Sequence, residues 1–169
     1  MIYSILQHKE VPVEIIRKYI CINDSLGEVI RYDVYETSKN TNFVGYVDLK
    51  DTKNGAQVLY IKSEQPNLYK HFGQVADQIE VEHCIKRGIK NPYISSVAAI
   101  GTHIIHFKRG KRFINKKINA YLENLTKNLQ KGERVMTGFL GYQKMYMPKN
   151  MINEIKEKIK ISPLLKGIK

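Results

Sequence analysis

The chain has 169 residues, of which 43% are hydrophobic and 26% are charged. This length and composition predict one globular domain and exclude a disordered or collagen-like chain. No apolar run reaches the ~18 residues that a membrane span needs, and the N-terminus lacks the features of a signal peptide. Two cysteines, Cys21 and Cys84, are too few for a disulfide framework. We therefore expect a cytoplasmic protein with reduced, packed thiols and no membrane association.

The formal net charge of +12 lies entirely in the last part of the chain. Residues 1–100 contain 12 basic and 12 acidic side chains, whereas residues 101–169 contain 16 basic and 4 acidic ones. Such asymmetry indicates a surface that meets an anionic partner, such as nucleic acid, a membrane surface or a phosphorylated cofactor. The alternative is a lysine-rich composition that only keeps the surface solvated.

The first part of the chain predicts mostly strands. The expected elements are a strand over Met1–Leu6, a helix over Val11–Ile22, and three strands over Glu28–Thr37, Phe43–Leu49 and Gln57–Ser63. The helix is predicted because the apolar residues of that segment follow helical spacing, with Pro12 tolerated near its start. The three strands alternate, and Asn54-Gly55 between the last two is a strong hairpin signal. They should form an antiparallel meander.

After the meander the hydrophobic period becomes helical. The expected elements are a helix between Tyr69 and Arg87, a strand over Pro92–Ala99, helices over Thr102–Phe113 and Ile118–Leu129, a strand pair or bent strand in Val135–Met147, a helix over Lys149–Lys160 opened by Pro148, and a loosely ordered tail from Ile161. The resulting order, β-α-β-β-β-α-β-α-α-β-(β)-α, predicts an α+β or mixed α/β fold. Residues 1–147 form the predicted domain, and residues 148–169 a C-terminal helix and basic tail.

The segment Lys70-His-Phe-Gly-Gln-Val-Ala76 lies where a strand gives way to the first long helix. A helix N-terminus offers free N–H groups and a positive dipole end, which suit a pyrophosphate. Gly73 would let the backbone approach phosphate groups closely, and Lys70 could add a point charge. The alternative is an ordinary strand-to-helix turn that contains one glycine.

The order of elements, together with this loop, resembles the GNAT superfamily of acyl-CoA N-acyltransferases over roughly residues 1–147. The family's loop has the pattern Gln/Arg-x-x-Gly-x-Gly/Ala, in which Gly73 matches the central glycine and Val75 replaces the last small residue. The resemblance implies a GNAT-like fold that transfers an acetyl or other acyl group from acyl-CoA to an amine. The co-substrate would lie between the Gln57–Ser63 and Pro92–Ala99 strands. The implied cofactor-binding residues are Ile61, Ser63, Lys70, His71, Phe72, Gly73, Gln74, Val75 and Ala76.

A second segment, from His103 to Phe113, is similar to the family's fourth helix, which commonly ends in Leu-Tyr-x-Lys-x-Gly-Phe. Aligned on Gly110, Ile105 matches the leucine and Lys108 the lysine. His106 stands where the family often has a tyrosine, the usual general acid for the thiolate of coenzyme A. The resemblance thus implies an acid role for His106, which imidazole can fulfil near neutral pH. Ala99 replaces an asparagine that often contacts the cofactor.

Two further residues are catalytic candidates on the last meander strand. Glu64 ends that strand, where family members often use a carboxylate to take the proton of the acceptor ammonium. Tyr60 could hydrogen-bond a substrate or a water molecule. For each candidate the alternative is structural: Glu64 as a surface residue, and His103 and His106 as histidines on a partly buried helix face. A His-x-x-His pair without a further ligand makes a poor metal site, so we expect no metal.

The basic residues between Lys108 and Lys117 support a second hypothesis. Lys108, Arg109, Lys111, Arg112, Lys116 and Lys117 form a dense cluster with Phe107 and Phe113 interleaved. Such a cluster is typical of a nucleic-acid footprint. The chain could therefore be a GNAT-like or other α+β module without catalysis that binds nucleic acid or protein. The two hypotheses also merge, since some family members acetylate aminoacyl-tRNA. The resemblance is compatible with a homodimer and leaves the acceptor amine open.

Overall fold

A computed structural model describes residues 1–5, 7–21, 27–38, 41–130, 133 and 135–168. The strands of these residues are β1 (Ile2–Ser4), β2 (Lys9–Val11), β3 (Val13–Cys21), β4 (Glu28–Glu36), β5 (Asn42–Thr52), β6 (Gly55–Ser63), β7 (Tyr69–Lys70), β8 (Tyr93–Ala98), β9 (Arg112–Phe113) and β10 (Gln143–Tyr146). The helices are α1 (Phe72–Lys86), α2 (His103–Lys108), α3 (Lys116–Asn128) and α4 (Lys149–Ile161), with a short 3₁₀ turn at Gly138–Leu140. The α+β class predicted from the sequence agrees with this architecture.

Most strands belong to one sheet with the order β3-β4-β5-β6-β8-β10-β9. Every neighbouring pair in it is antiparallel except β6 and β8, which run parallel. The short strands β2, β1 and β7 form a second, three-stranded sheet. The meander over β4, β5 and β6 is present as predicted, and its second hairpin turns at Asn54-Gly55.

The helix predicted over Val11–Ile22 is wrong, because most of this segment is strand β3. Its residues pair with β4 without interruption, from Val13 opposite Glu36 to Cys21 opposite Glu28. Valine and isoleucine are β-branched, and such residues favour the pleated, half-buried surface of a sheet. Pairing with β4 outweighed the apparent helical spacing. Ile22, at the end of the predicted helix, lies outside the described residues.

The helices pack on one face of the seven-stranded sheet. The larger core joins α1 and α4 to the meander, and the smaller core joins α3 to Ala98 of β8 and Met145 of β10. Ala98 and Ile94 lie on the same side of β8, since they are four residues apart, and Ile94 belongs to the larger core. Both cores therefore cover the same face.

The opposite face, which we call the open face, carries Ile16, Tyr60, Tyr93 and Val97. These side chains are 40%, 54%, 50% and 47% exposed. Among the described residues, the segment between β2 and β4 contains strand β3 and no helix. No helix of that segment is therefore available to cover the open face.

Three predicted elements differ from the structure near the C-terminus. The helix predicted over Thr102–Phe113 ends early, as α2, and the chain then reverses at Gly110, whose φ of 105° favours glycine. The predicted strand pair in Val135–Met147 contains only β10 after the 3₁₀ turn. The tail is packed rather than loosely ordered: Leu165 is buried, and the N–H groups of Leu164 and Leu165 donate to the carboxylate of Glu82.

Each helix of the described residues lacks the length and apolar character that crossing a bilayer requires. Cys84 is a free, fully buried thiol, and burial raises its pKa to about 12. It therefore packs in the core as a small apolar residue, as expected. The side chain of Cys21 lies outside the described residues.

A partly buried hydrogen-bond chain fastens the last turn of α1 to the meander. The Tyr32 hydroxyl lies 2.8 Å from His83 Nδ1, and His83 Nε2 lies 2.7 Å from Asp51 Oδ1. Burial lowers the pKa of His83, although Asp51 opposes the shift. A neutral ring can accept from Tyr32 and donate to Asp51 at once, so the folded state favours the uncharged histidine.

This chain predicts an acid-sensitive fold. Because the folded pKa of His83 lies below its ordinary value of 6.5, the unfolded state binds more protons as the pH falls through 6.5, and stability should decrease. In His83→Gln the amide can make both hydrogen bonds without titrating. We expect melting temperatures between pH 8 and pH 5 to change less in His83→Gln than in the wild type. The exposed His8→Gln variant serves as control, and an equal effect of both substitutions would contradict the assignment.

Candidate functional site

The seven-stranded sheet opens between its two parallel strands. β6 and β8 pair at only three positions, Gly55 with Tyr93, Ala56 with Ile94 and Gln57 with Ser95. Beyond Gln57, β6 continues to Ser63 along β5, whereas β8 pairs with β10. The two strands therefore diverge toward their C-terminal ends and leave a wedge between them, with a free backbone edge on β6 from residue 58 to residue 63.

A β-bulge shapes the free edge of β6. Asp48 of β5 lies opposite Tyr60 and its neighbour Leu49 lies opposite Val58, so Leu59 is the extra residue. A bulge re-aims the side chains and backbone groups that follow it and is common beside functional sites. It occurs where β6 separates from β8.

The site residues predicted on β6 fall on two faces. Ile61 and Ser63 lie opposite Val47 and Gly45 and face α1, whereas Tyr60 lies on the open face. Glu64 forms an ion pair of 2.9 Å with Lys62, the neighbour of Tyr60 on the open face. The wedge thus has the two predicted cofactor residues of β6 on one side of the sheet and two catalytic candidates on the other.

Among the described residues, the buried Ser63 hydroxyl has no hydrogen-bond partner. Buried polar atoms in native proteins are nearly always paired, so an orphan beside an opening is the kind of group that a ligand or a water molecule satisfies. In the same part of the chain, His106 Nδ1 is a second buried atom without a partner. Ser63 ends β6, at the edge of the wedge, whereas His106 lies on α2, the helix that follows β8.

The first turn of α1 contacts both sides of the wedge, namely the meander that ends in β6 and the segment that follows β8. On the meander side, Phe72 packs against Gly45 of β5: a Cβ on Gly45 would lie 2.1 Å from the Lys62 carbonyl oxygen and 2.9 Å from the Phe72 ring, so only glycine fits. From the segment that follows β8, the Arg109 guanidinium donates to the Gly73 carbonyl and pairs with Asp77. A Cβ on Gly73 would lie 2.5 Å from this guanidinium. In this structure the glycine makes room for Arg109.

Arg109 lies beside the predicted phosphate loop, a position that the sequence did not indicate. Lys70, which was expected there, lies exposed in β7 and pairs with Tyr3 in the three-stranded sheet. Arg109 is 36 residues from Gly73 in the chain, and the sequence marked it only as a member of the basic cluster between Lys108 and Lys117. His71, the residue before α1, adopts a left-handed conformation with φ of 68°.

Two cavities lie beside this turn, between α1 and α4. The larger has a volume of about 270 Å³ and is lined by His71 and Gln74 among others. The smaller, of about 230 Å³, is lined by Lys108 and Arg109, and Lys158 borders both. A groove of this kind, with several cations around a helix N-terminus, suits an anionic ligand.

A buried ion cluster joins α1 to the turn after α2. The Lys111 ammonium, 1% exposed, lies 3.1 Å from both Asp77 and Glu80. Burial opposes the charge of Lys111, but Glu80 and Asp77 outweigh it and raise its pKa. Burial raises the pKa of Glu80, and Lys111 counteracts that shift. Charges removed from water in this way are tolerated only because they are paired.

The basic residues predicted as a nucleic-acid footprint do not form one continuous exposed cluster. Lys111 and Arg109 turn inward to the acids of α1, Phe113 is buried, and Arg112 stacks 4.4 Å from the Phe107 ring centre. Lys116 and Lys117 are exposed at the start of α3 and Lys108 is half-buried. Sequence proximity placed these cations together, but the reversal at residues 109–113 directs several of them into the protein.

His106 is neutral at physiological pH. Burial and the nearby Lys111 and Arg109 cations lower the pKa of His106 to about 3. A protonated imidazole that returns a proton to a thiolate near pH 7, as expected from the sequence, does not fit this environment. The ring can still act as a neutral hydrogen-bonding group. His103, one turn earlier, is structural: its Nε2 lies 2.7 Å from the Gly141 carbonyl.

The structure does not bring all catalytic candidates together. Within the described residues, no hydrogen bond or ion pair links His106 with Tyr60 or Glu64, which lie on the open face. The remaining loop residues predicted to bind cofactor, Val75 and Ala76, are buried in the core. No group of three or more His, Cys, Asp or Glu side chains in the described part of the chain is placed to hold a metal ion.

Comparison with known proteins gives distant structural matches but no match in sequence. No family model and no curated protein matches the chain. A solved structure that it resembles is an acetyltransferase from Bacillus subtilis in complex with CoA, with 13% identity and a TM-score of 0.44. The match covers 80% of this chain and 98% of the other. At this level of similarity, the function of the chain has to follow from its own geometry.

The ion cluster predicts a large effect of a single lysine. Lys111→Met keeps most of the side-chain volume but leaves Glu80 buried without its cation and Asp77 paired with Arg109 alone, which should cost about 3–5 kcal/mol in urea unfolding. The loss should grow as the pH rises, because buried carboxylates then have to ionise. Lys117→Met, at an exposed position, should change stability by less than about 0.5 kcal/mol. Equal losses in the two variants would show that the cluster is not stabilising.

Proposed function

We propose that the chain is a GNAT-like N-acyltransferase that moves an acetyl or other acyl group from acyl-CoA to an amine. The observation that supports this most is the wedge, because two parallel strands that separate after three residue pairs provide an extended slot with a free strand edge. This slot is the place where the sequence resemblance puts the co-substrate.

The pantetheine arm would lie along the free edge of β6. Its amide groups can pair with unoccupied backbone groups between residues 58 and 63, as an added strand does at a sheet edge. The bulge at Leu59 turns the adjacent backbone groups, and an N–H directed into the slot could polarise the thioester carbonyl. The orphan hydroxyl of Ser63 offers one more hydrogen bond to the arm.

The pyrophosphate would lie at the first turn of α1. Free N–H groups at Phe72 and Gly73 and the positive end of the helix dipole favour an anion there. Arg109, already against Gly73, supplies a guanidinium that suits two phosphate oxygens at once. Asp77 neutralises part of this charge, so Lys108 and Lys158 along the groove complete the positive field. Lys70, His71, Gln74, Val75 and Ala76 remain predicted contacts of this loop.

The reaction would be a direct attack of the amine on the thioester. A C–N bond forms, the C–S bond breaks, the ammonium proton passes to a base and the thiolate takes up a proton. Glu64 and Tyr60, on the open face, are the proposed groups for handling the acceptor's proton. His106 would hydrogen-bond in its neutral form. Most of the acceleration would come from holding both reactants in place and polarising the carbonyl.

Cofactor binding tests the proposal directly. Acetyl-CoA at a hundredfold excess over its dissociation constant should stabilise the fold by about 2.7 kcal/mol, measured as a thermal shift and confirmed by calorimetry. Gly73→Glu should remove the shift, because its carboxylate would take the place of a phosphate beside Arg109. Asn124→Glu adds the same charge on exposed α3 and should leave the shift intact. No heat and no shift at millimolar acetyl-CoA would exclude the acyltransferase.

The same measurements separate an enzyme from a module that has lost catalysis. Release of free CoA in the presence of a polyamine, a lysine peptide, an aminoglycoside or an aminoacyl-tRNA shows transfer and identifies the acceptor class. Binding of acetyl-CoA without release of CoA with any of these amines would favour the non-catalytic module. Sedimentation of the same samples tests the predicted homodimer.

The pH dependence of turnover tests the role of His106. With a pKa of about 3, the ring does not titrate between pH 6 and pH 9, so His106→Gln should keep the shape of the wild-type pH profile. Loss of one hydrogen bond at the reacting centre should lower turnover by roughly 10²–10³-fold, with little change in acetyl-CoA affinity. If wild-type turnover falls as the pH rises through 6.5, and this fall is lost in His106→Gln, then His106 acts as a protonated acid and the neutral role is wrong.

A further inference from the structure

The open face of the sheet is an unpartnered surface that the proposed reaction does not use fully. Within the described residues no helix packs on it, and Tyr60 and Tyr93 are half-exposed there. A flat, solvated sheet face is unremarkable when its side chains are small and polar. This one instead presents large aromatic rings next to long cationic side chains.

The rings of this face are held in place rather than loosely displayed. The Arg31 guanidinium lies 3.8 Å from the centre of the Tyr46 ring. Tyr46 is opposite Lys62 in the ladder, which makes Tyr60 its diagonal neighbour. On the other side of the wedge, the Tyr93 and Tyr146 rings stack with centres 6.4 Å apart and planes inclined by 18°. The face therefore carries two ordered aromatic groups, Tyr46 with Arg31 and the stacked Tyr93–Tyr146 pair, with the exposed Tyr60 on the strand between them.

On this face the acidic groups are more buried than the basic groups with which they pair. Asp48 is fully buried and accepts two hydrogen bonds of 2.7 Å from Arg31. The Asp33 carboxylate, 6% exposed, pairs with Lys18, which is 49% exposed. Lys62 is 58% exposed, and its partner Glu64 is less exposed, at 33%. Two further charged side chains belong to this face: Lys144, opposite Val97, and Glu14, two residues before Ile16 on β3, and both are exposed. The exposed lysines Lys18, Lys62 and Lys144 therefore outnumber the exposed acids Glu14 and Glu64.

We propose that the open face binds single-stranded nucleic acid. Bases would stack on Tyr60 and on the Tyr93–Tyr146 pair, and phosphates would contact Lys18, Lys62 and Lys144. Stacking requires accessible base faces, which a duplex lacks, and exposed aromatic rings beside cations match this requirement. A second copy of this chain would bring the same cations face to face, so charge complementarity favours the polyanion. The inference goes beyond acyl transfer and does not depend on it.

Fluorescence anisotropy with labelled 20-nucleotide oligo(U) and oligo(dT) tests the proposal on the full chain. Binding at low salt should weaken as salt increases, and a duplex of equal length should bind more weakly. Tyr60→Ala and Tyr93→Ala should each reduce affinity roughly 5- to 100-fold, the usual effect of losing one base–aromatic stack. Lys62→Gln should reduce the salt slope by about one phosphate contact. Melting temperatures of all variants show whether each has folded.

Matched controls decide whether the face itself is responsible. Tyr121, 41% exposed on α3, and Lys117, exposed at the start of the same helix, lie outside the open face, so Tyr121→Ala and Lys117→Gln should leave affinity unchanged. No binding to either oligonucleotide at low salt would overturn the proposal. Equal loss in Tyr121→Ala, or duplex binding as tight as single-strand binding, would reduce it to non-specific charge. A dimer that Tyr60→Ala disperses, without oligonucleotide binding, would assign the face to a second copy.

Discussion

The architecture depends on α1 holding together two parts of a sheet that share very few hydrogen bonds of their own. Only three residue pairs join β6 to β8, so the width of the wedge cannot be set by the ladder. The width of the wedge is set by the contacts of α1 with the two parts of the sheet. Phe72 and His83 attach α1 to the meander, while Asp77 and Glu80 on the same helix bind Arg109 and Lys111, which follow β8.

Burying charges at this bridge has a chemical consequence for the site. Lys111 and Arg109 need the carboxylates of α1 in order to leave water, and their positive charge then acts on any titratable group nearby. His106 is such a group: burial, the larger cause, together with these two cations lowers its pKa to about 3. The ions that fix the wedge therefore add to burial in disfavouring a protonated histidine. Catalysis at the wedge would rely on positioning and hydrogen bonds.

The distribution of helices gives the two faces of the sheet different chemistry. The covered face contains the cores, the first turn of α1 and the cationic groove. The open face presents Tyr60, Glu64 and a layer of cations over buried acids. A ligand that enters the wedge from the helical face would reach, at the level of the sheet, a molecule bound on the open face. In the proposed reaction, the acyl donor and its acceptor would thus approach from opposite faces of the sheet.

The sequence by itself determined those elements whose signals are local. Asn54-Gly55 specifies a hairpin through its turn conformation, the helical period specifies α1 and α3, and Pro148 marks the start of α4. The position of Gly73 next to a helix N-terminus was also evident from neighbouring residues.

Only the tertiary structure decided the features that depend on distant partners. Val13–Cys21 became a strand because β4 lies beside it, which left one face of the sheet uncovered. Lys111 and Arg109 point inward because the acids of α1, some 30 residues earlier, lie within reach. The neutral state of His106 follows from those cations and from burial. Spacing in a sequence reports local periodicity, whereas pairing and burial are set by contacts between residues far apart in the chain.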